Sequence, residues 1–257
     1  MNKNKMKQKV RQPTAMTVLA TVVGVDQVTP LVRRLTFGGE ALKAVVANGA
    51  FAEPAAWVKL FAPLCHGRAY SIRQQNRATG TIDIDFVLHS HDEQRATTVS
   101  AWAEAVAVGT EVLLSYPARG GFTVNRFAKW LWMAADATAL PALQSVLADL
   151  PLGLDVRVMV FANGVAERQA LVTKAELTET WLYPQEEAYE AALKQVLADA
   201  AHLAGQGQVW LAGESNWVKN WQLYWLRERG LTPKDILARG YWKQGEADYK
   251  DQRLLVS

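Results

Sequence analysis

Between Arg68 and Arg73 the chain reads Arg-Ala-Tyr-Ser-Ile-Arg. In an extended strand alternate side chains share a face, so Arg68, Tyr70 and Ile72 point one way. Arg68 offers a planar cation suited to a phosphate. Tyr70 offers an aromatic face for stacking, and Ser71 a hydroxyl and an amide. A second group runs Asp85-Phe86-Val87-Leu88-His89 and continues, after a polar loop, as Thr98-Val99-Ser100-Ala101-Trp102. A strand leading into a helix start presents free amides and a positive dipole end, which favour a pyrophosphate. His89 can donate to phosphate or ribose oxygens; a core histidine before an ordinary capped helix is the blander account. A third group, Ala134-Ala135-Asp136-Ala137-Thr138-Ala139-Leu140-Pro141-Ala142, lies at a strand-to-helix junction. Open α/β sheets bind ligands at such strand ends. Asp136 and Thr138 are expected caps there, and Pro141 suits the first helical turn.

These residues need two kinds of scaffold. From Met16 to about Tyr116 the pattern is that of short strands, with TVLATVVGVDQVTP, VRRLTFGG, WVKLFAP, AYSIRQQ and IDIDFVLH separated by turns. Such spacing predicts a small antiparallel barrel. Short helices are expected over Ala41–Ala47 and Thr97–Ala107, the latter capped by Thr97 or Thr98. From Lys129 onward strands alternate with helices: WLWMAAD, ATALPALQSVLADL, LDVRVMVFAN, the helical stretch Tyr189–Leu203, QVWLAGE, SNWVKNWQLYWLRERG and ILARGYW. That alternation predicts a parallel sheet covered on both faces. The expected fold is therefore an α+β two-domain chain. A basic tail over residues 1–15 precedes a β-barrel domain over 16–122, and an α/β domain follows over 123–247.

The bulk composition narrows the chemistry. The 257 residues carry a formal charge of +3, but Lys3, Lys5, Lys7, Lys9 and Arg11 supply five positive charges, which leaves −2 on the rest. A nucleic-acid binder would carry its basic excess on the folded body, so none is expected as a partner. The single cysteine, Cys65, excludes an internal disulfide and a cysteine-held iron–sulfur cluster within one chain. His89 and His91 share a strand parity but lack a third ligand nearby, so no metal site is expected. There is no apolar run of about 18 residues, and MNKNKMKQKVRQ lacks the apolar core of a secretory signal. The expectation is a cytoplasmic protein without stable membrane insertion. Its oligomeric state is open, and a monomer is compatible with the sequence.

In order along the chain stand RAYSIR, DIDFVLH with a following SAW, ADATALPA, VWLAGE and RGYWKQG. From about Val18 to Gly245 this closely resembles the siderophore-interacting, ViuB-like family of FAD-binding ferric reductases, within the ferredoxin-reductase-like superfamily. The resemblance implies FAD on the barrel, NADH or NADPH on the α/β domain as electron donor, and a ferric siderophore as substrate. It implies that Arg68, Ala69, Tyr70, Ser71 and Arg73 bind flavin, as do Asp85, Phe86, Val87 and His89. Thr97, Thr98, Ser100 and Trp102 match the helix over the FAD phosphates. Asp136, Thr138, Ala139 and Pro141 match the turn facing the cofactor. Ala212, Gly213 and Glu214 match the nicotinamide edge, with Tyr241 beside it and Trp242 covering the flavin or gating the nicotinamide. Thr97-Thr98-Val99 replace the family's glycine-proline-alanine, and Ala135 and Ala137 replace a glycine and a glutamate of its turn.

Reduction at a flavin needs no side-chain acid or base, and no catalytic triad is present. A catecholate ferric siderophore is anionic, so a local basic patch is expected, with Lys59, Arg119, Arg126, Arg239 and Lys243 as candidates. Trp217, Trp221 and Trp225 fall on one helical face and are expected in a core or subunit contact. The chief alternative is a general NAD(P)H flavin reductase or ferredoxin-type reductase with another acceptor; a non-enzymatic flavin- or siderophore-binding module is the second.

Overall fold

Val18, Ala20 and Val22 point inward from the first strand while Leu19, Thr21 and Val23 face out, and this period of two recurs along the first half of the chain. The computed structural model describes residues 16–63, 65–88, 98–246, 249 and 251. The expected basic tail, His89 and Thr97 lie outside the described residues.

Seven strands form the first sheet: β1 (Thr17–Thr29), β2 (Val32–Gly38), β3 (Trp57–Phe61), β4 (Arg68–Ser71), β5 (Gln74–Asn76), β6 (Thr81–Val87) and β7 (Glu111–Ser115). Their order is β4-β3-β7-β1-β2-β6-β5, and all pairs are antiparallel. The hydrogen-bonded ladder does not close. Its two edge strands are nevertheless consecutive in the chain, separated by Ile72 and Arg73 alone. Arg73 N donates to Asp83 O at 2.9 Å, and Ile72 N to Ala56 O at 2.8 Å. One extended run therefore serves β3 with its first half and β6 with its second, so the sheet curls until its edges meet along that run. Leu35, Phe37, Val58, Leu60, Ile82, Ile84 and Phe86 fill the interior. Helix α1 (Glu40–Ala47) and helix α2 (Val99–Ala105) pack against this sheet.

The second sheet is parallel, ordered β10-β9-β8-β11-β12. It comprises β8 (Trp130–Asp136), β9 (Asp155–Phe161), β10 (Glu176–Leu182), β11 (Gly207–Glu214) and β12 (Ile236–Trp242). On β8, Leu131, Met133 and Ala135 face helix α3 (Leu140–Ala148). Trp130, Trp132 and Ala134 face α4 (Tyr189–Ala201) and α5 (Ser215–Arg227). Both faces are covered, which is why the strand reads as an unbroken apolar run. Trp221 packs on Trp132 at 4.8 Å between ring centroids, and Trp225 on Trp130 at 5.6 Å. The tryptophan face of α5 is thus core. Strand β10 has no counterpart in the expected series. Its sequence, ELTETWL, is polar at alternate positions and sits at a sheet edge.

Candidate functional site

Arg68 and Tyr70 pair with Leu60 and Val58 of β3. Arg68 is exposed at the strand start, and Tyr70 is half-buried. The Tyr70 ring lies 4.5 Å from Phe86, and Phe86 lies 6.3 Å from Trp102 in an edge-to-face contact. Burial pushes the Tyr70 phenol well above its ordinary range, against the opposing pull of Arg68, so the ring stays neutral. Arg73 follows, half-buried, and its Nε is buried with no acceptor among the described residues. Burial, then the like charge of Arg34, lowers its pKa, while Asp85 and Asp83 oppose. An arginine stays charged regardless. A desolvated guanidinium with an orphan N–H fits an anionic oxygen ligand such as phosphate. With the neutral ring of Tyr70 two residues away, these groups fit a flavin nucleotide.

The second segment is partly framework. Asp85 is buried, and its two oxygens accept from Arg34 Nε at 2.6 Å and Arg34 Nη2 at 2.8 Å across the β2–β6 pair. Phe86 is fully buried, and Val87 uses its carbonyl to accept from Ser100 Oγ at 2.9 Å. Thr98 caps α2 by accepting from Ala101 N at 3.2 Å. These bonds set Trp102 on the barrel rim, half-buried beside Phe86. Ala69 is exposed on β4.

The third segment converges with two distant ones at the carboxyl ends of the parallel strands. Asp136 Oδ1 accepts from Thr138 N at 2.9 Å, Thr138 Oγ1 at 2.6 Å and Ala139 N at 3.3 Å. Helix α3 starts after Ala139, which offers no side-chain cap, with Pro141 in its first turn. Asp136 therefore caps the turn rather than the helix, because the turn places the first helical residue at Leu140. Asp136 Oδ2 accepts from Glu214 N and from Trp242 Nε1, each at 2.8 Å. Ala212 is fully buried. Gly213 has φ +145°, and a Cβ there would stand 2.6 Å from Asp136 Oδ2. Only glycine lets the carboxylate lie against that strand. Glu214 caps α5 by accepting from Trp217 N at 2.9 Å.

The two halves meet here. Ser71 Oγ donates to the Tyr241 hydroxyl at 3.4 Å. Burial raises the Tyr241 phenol; the Ser71 hydrogen bond lowers it, Asp136 raises it and Arg239 lowers it. Tyr241 and Trp242 keep 37% and 41% of their surface exposed, enough to line a cleft. A second contact joins the halves elsewhere and was invisible to sequence reasoning. Buried Glu167 accepts from Thr29 Oγ1 and from Leu31 N at 3.1 Å.

The five basic candidates separate. Lys243 Nζ is bound to Glu246 at 2.9 Å. Arg119 is almost fully exposed, its Nε 3.4 Å from Glu53. Arg126 lies over the Phe127 ring at 4.6 Å. Arg126 also lines a cavity of about 660 Å³ with Phe122, Asp149 and Leu152, at the amino end of the parallel sheet and opposite Asp136. Lys59 is exposed on β3. Arg239 is half-buried beside Tyr241, with Nη2 3.6 Å from where a Gly121 Cβ would stand. Its guanidinium makes no hydrogen bond or ion pair with the described residues. No cluster of three or more His, Cys, Asp or Glu suited to a metal occurs among the described residues. No described helix is long and apolar enough to cross a membrane.

A curled antiparallel sheet joined to a parallel sheet, meeting at the arginine–tyrosine–serine strand, is a ferredoxin-reductase-like fold. The ferredoxin reductase of carbazole 1,9a-dioxygenase shares the fold, with a TM-score of 0.65 at 14% identity over 88% of this chain and 70% of that one. A siderophore-interacting protein from Acinetobacter baumannii superposes with a TM-score of 0.76 at 24% identity, covering 91% of this chain and 93% of that one. Residues 62–121 match the siderophore-interacting FAD-binding domain and residues 128–245 the siderophore-interacting protein domain. The chain belongs to the siderophore-interacting protein family. The ferric acinetobactin reductase of Acinetobacter baumannii is 28% identical over 193 residues, 73% of this chain and 64% of the relative. The match thus spans just under two thirds of that relative's length.

Proposed function

We propose that this chain is a ferric-siderophore reductase that carries FAD, takes hydride from NADH or NADPH and releases Fe(II) from the chelate in the cytoplasm. Bound flavin would bridge a two-electron donor and a one-electron acceptor; that chemistry belongs to the cofactor. Siderophores hold Fe(III) through hard anionic oxygens and hold Fe(II) far more weakly, so reduction frees the metal. The chain's own residues bind and orient. Arg68 and Arg73 hold phosphate, Tyr70 offers its neutral ring, and Ser71 offers its hydroxyl at the flavin edge. Residues 16–122 form the FAD-binding part and 123–247 the nicotinamide-binding part. Ala212, Gly213, Glu214 and Tyr241 border the nicotinamide side. Arg239, a guanidinium with no partner among the described residues beside the seam, is the leading contact for an anionic chelate.

The observation that carries this reading is the Ser71–Tyr241 contact at 3.4 Å, which brings the arginine–tyrosine strand to the carboxyl ends of the parallel sheet. A donor bound at those ends and a flavin on β4 would then share one cleft. The test is the visible spectrum of purified protein, then anaerobic titration with NADH and NADPH, then addition of a ferric siderophore. Expected are a flavin spectrum, bleaching by a reduced nicotinamide, and reoxidation by the chelate. A chain that retains no flavin in excess FAD overturns the reading. Faster turnover on free flavin or quinones than on ferric siderophores assigns the chain to the general-reductase alternative.

A further inference from the structure

We infer that Asp136 is a positioning residue that locks the exposed Trp242 indole into place as a wall of the cleft, instead of touching the cofactor itself. The inference rests on the reductase reading for its consequence, and on hydrogen-bond geometry for its substance.

The Asp136 carboxylate is fully subscribed. It accepts five hydrogen bonds: three on Oδ1 from its own turn, and two on Oδ2 from Glu214 N and Trp242 Nε1. An ionised carboxylate has about four lone-pair sites, so none is left for a ligand. Its two long-range donors lie 78 and 106 residues away in sequence. One side chain thus ties the ends of β8, β11 and β12 together. The strand end beyond Trp242 is tied too, because Gln244 N donates to Glu214 Oε1 at 3.2 Å.

Trp242 is the member whose position structure alone does not require. A buried indole is held by its apolar surroundings, as Trp132 and Trp225 are. Trp242 keeps 41% of its surface exposed, so burial contributes less to fixing it. Ordering an exposed ring costs rotamer entropy. A charge-assisted N–H bond to a carboxylate offsets that cost and selects one orientation. Its neighbour Tyr241 reaches the opposite way, to Ser71 on the barrel. The aromatic pair is therefore held from both halves, Tyr241 by the barrel and Trp242 by the parallel sheet, with the Trp242 ring left partly exposed.

The test uses Asp136→Asn, Trp242→Phe and the double variant in the full chain. An amide has one acceptor oxygen for two sides that each need one; in the Asn variant that oxygen stays with the three donors of its own turn, which leaves the NH2 against Glu214 N and Trp242 Nε1 and breaks both of those bonds. Trp242→Phe keeps a ring and removes the N–H. The first readout needs no cofactor. The ¹H–¹⁵N indole resonance of Trp242, identified by its loss in Trp242→Phe, should move upfield and exchange faster in Asp136→Asn while the buried indole resonances stay. The second is the rate at which reduced nicotinamide bleaches the bound flavin. Each single variant should slow it by about tenfold with flavin content retained, and the double variant should be no slower than the worse single. An unmoved Trp242 resonance in Asp136→Asn, or single-variant effects that multiply, overturns the inference. If wild-type chain binds no flavin, the reductase reading fails, and the resonance still decides whether Asp136 holds Trp242.

Discussion

At the residue scale, Tyr70 shows how strongly burial can alter a side chain's chemistry. The phenol is packed against Phe86, and burial keeps it protonated far above its ordinary range. The sign of the consequence follows from linkage. Below about pH 10 the phenol is neutral in the folded and unfolded chains alike, and titration contributes nothing. Above that, the unfolded chain releases the proton and the folded chain does not. The unfolded state then binds fewer protons, so stability falls as pH rises. The loss is at most about 1.4 kcal/mol for each pH unit above the unfolded pKa. Tyr70→Phe removes this liability. Urea unfolding at matched salt should show similar stabilities near neutrality, with a shallower alkaline decline for the variant. Parallel declines would mean that other groups, not Tyr70, set the alkaline limit. The same neutrality suits the proposed role, because an uncharged ring is the better stacking partner for an electron-rich reduced flavin.

At the element scale, the chain shows where local pattern is sufficient and where it is not. Strands β8 and β11 are legible as short unbroken buried runs, and helix α5 by the one face that carries Val218, Trp221 and Trp225 inward. Strand β10 is not, because it is an edge strand paired on one side only, and its Thr and Glu positions break the apolar run that marks its neighbours. The site residues divide likewise. The arginine–tyrosine strand could be located from its own six residues. The roles of Asp136 and Glu167 could not, because their partners arrive from distant chain. Glu167 reaches Thr29, 138 residues earlier, and closes the short 3₁₀ turn Val165–Glu167 against the β1–β2 connection. This clamp carries a direct prediction. Glu167→Ala strands the buried Thr29 hydroxyl, which costs about 1–3 kcal/mol, and the part-buried Leu31 amide, which costs about 1 kcal/mol. Urea denaturation should therefore show a loss of roughly 2–4 kcal/mol for Glu167→Ala, and about half that for Glu167→Gln, which keeps one acceptor oxygen. A change under about 0.5 kcal/mol for Glu167→Ala would mean that the clamp does not hold the two halves together.

At the scale of the whole molecule, the net charge says little about how an anionic iron chelate would be attracted. The formal +3 is more than supplied by the first eleven residues, so attraction must come from local placement. The structure ranks the candidates by what each cation is already doing. Lys243 is held by Glu246, and Arg119 extends into solvent beside Glu53. Arg126 lines the cavity at the far end of the parallel sheet. Arg239 sits at the seam beside Tyr241, half-buried and without a carboxylate. A half-buried guanidinium is screened less than an exposed one, so its attraction for an anion is worth more. A charge-assisted contact of about 1.5–3 kcal/mol corresponds to roughly a ten- to hundredfold change in affinity. Arg239→Ala should therefore raise KM for an anionic ferric chelate by about tenfold or more, with flavin content and flavin bleaching by nicotinamide retained. Arg126→Ala, on the opposite end of the sheet, should change KM by less than about twofold. Added salt should raise the wild-type KM and narrow the gap to Arg239→Ala, because screening removes the attraction that the variant already lacks. Equal effects at Arg239 and Arg126 would move the chelate away from the Tyr241–Trp242 cleft, and the electron path would then have to leave the flavin by another edge.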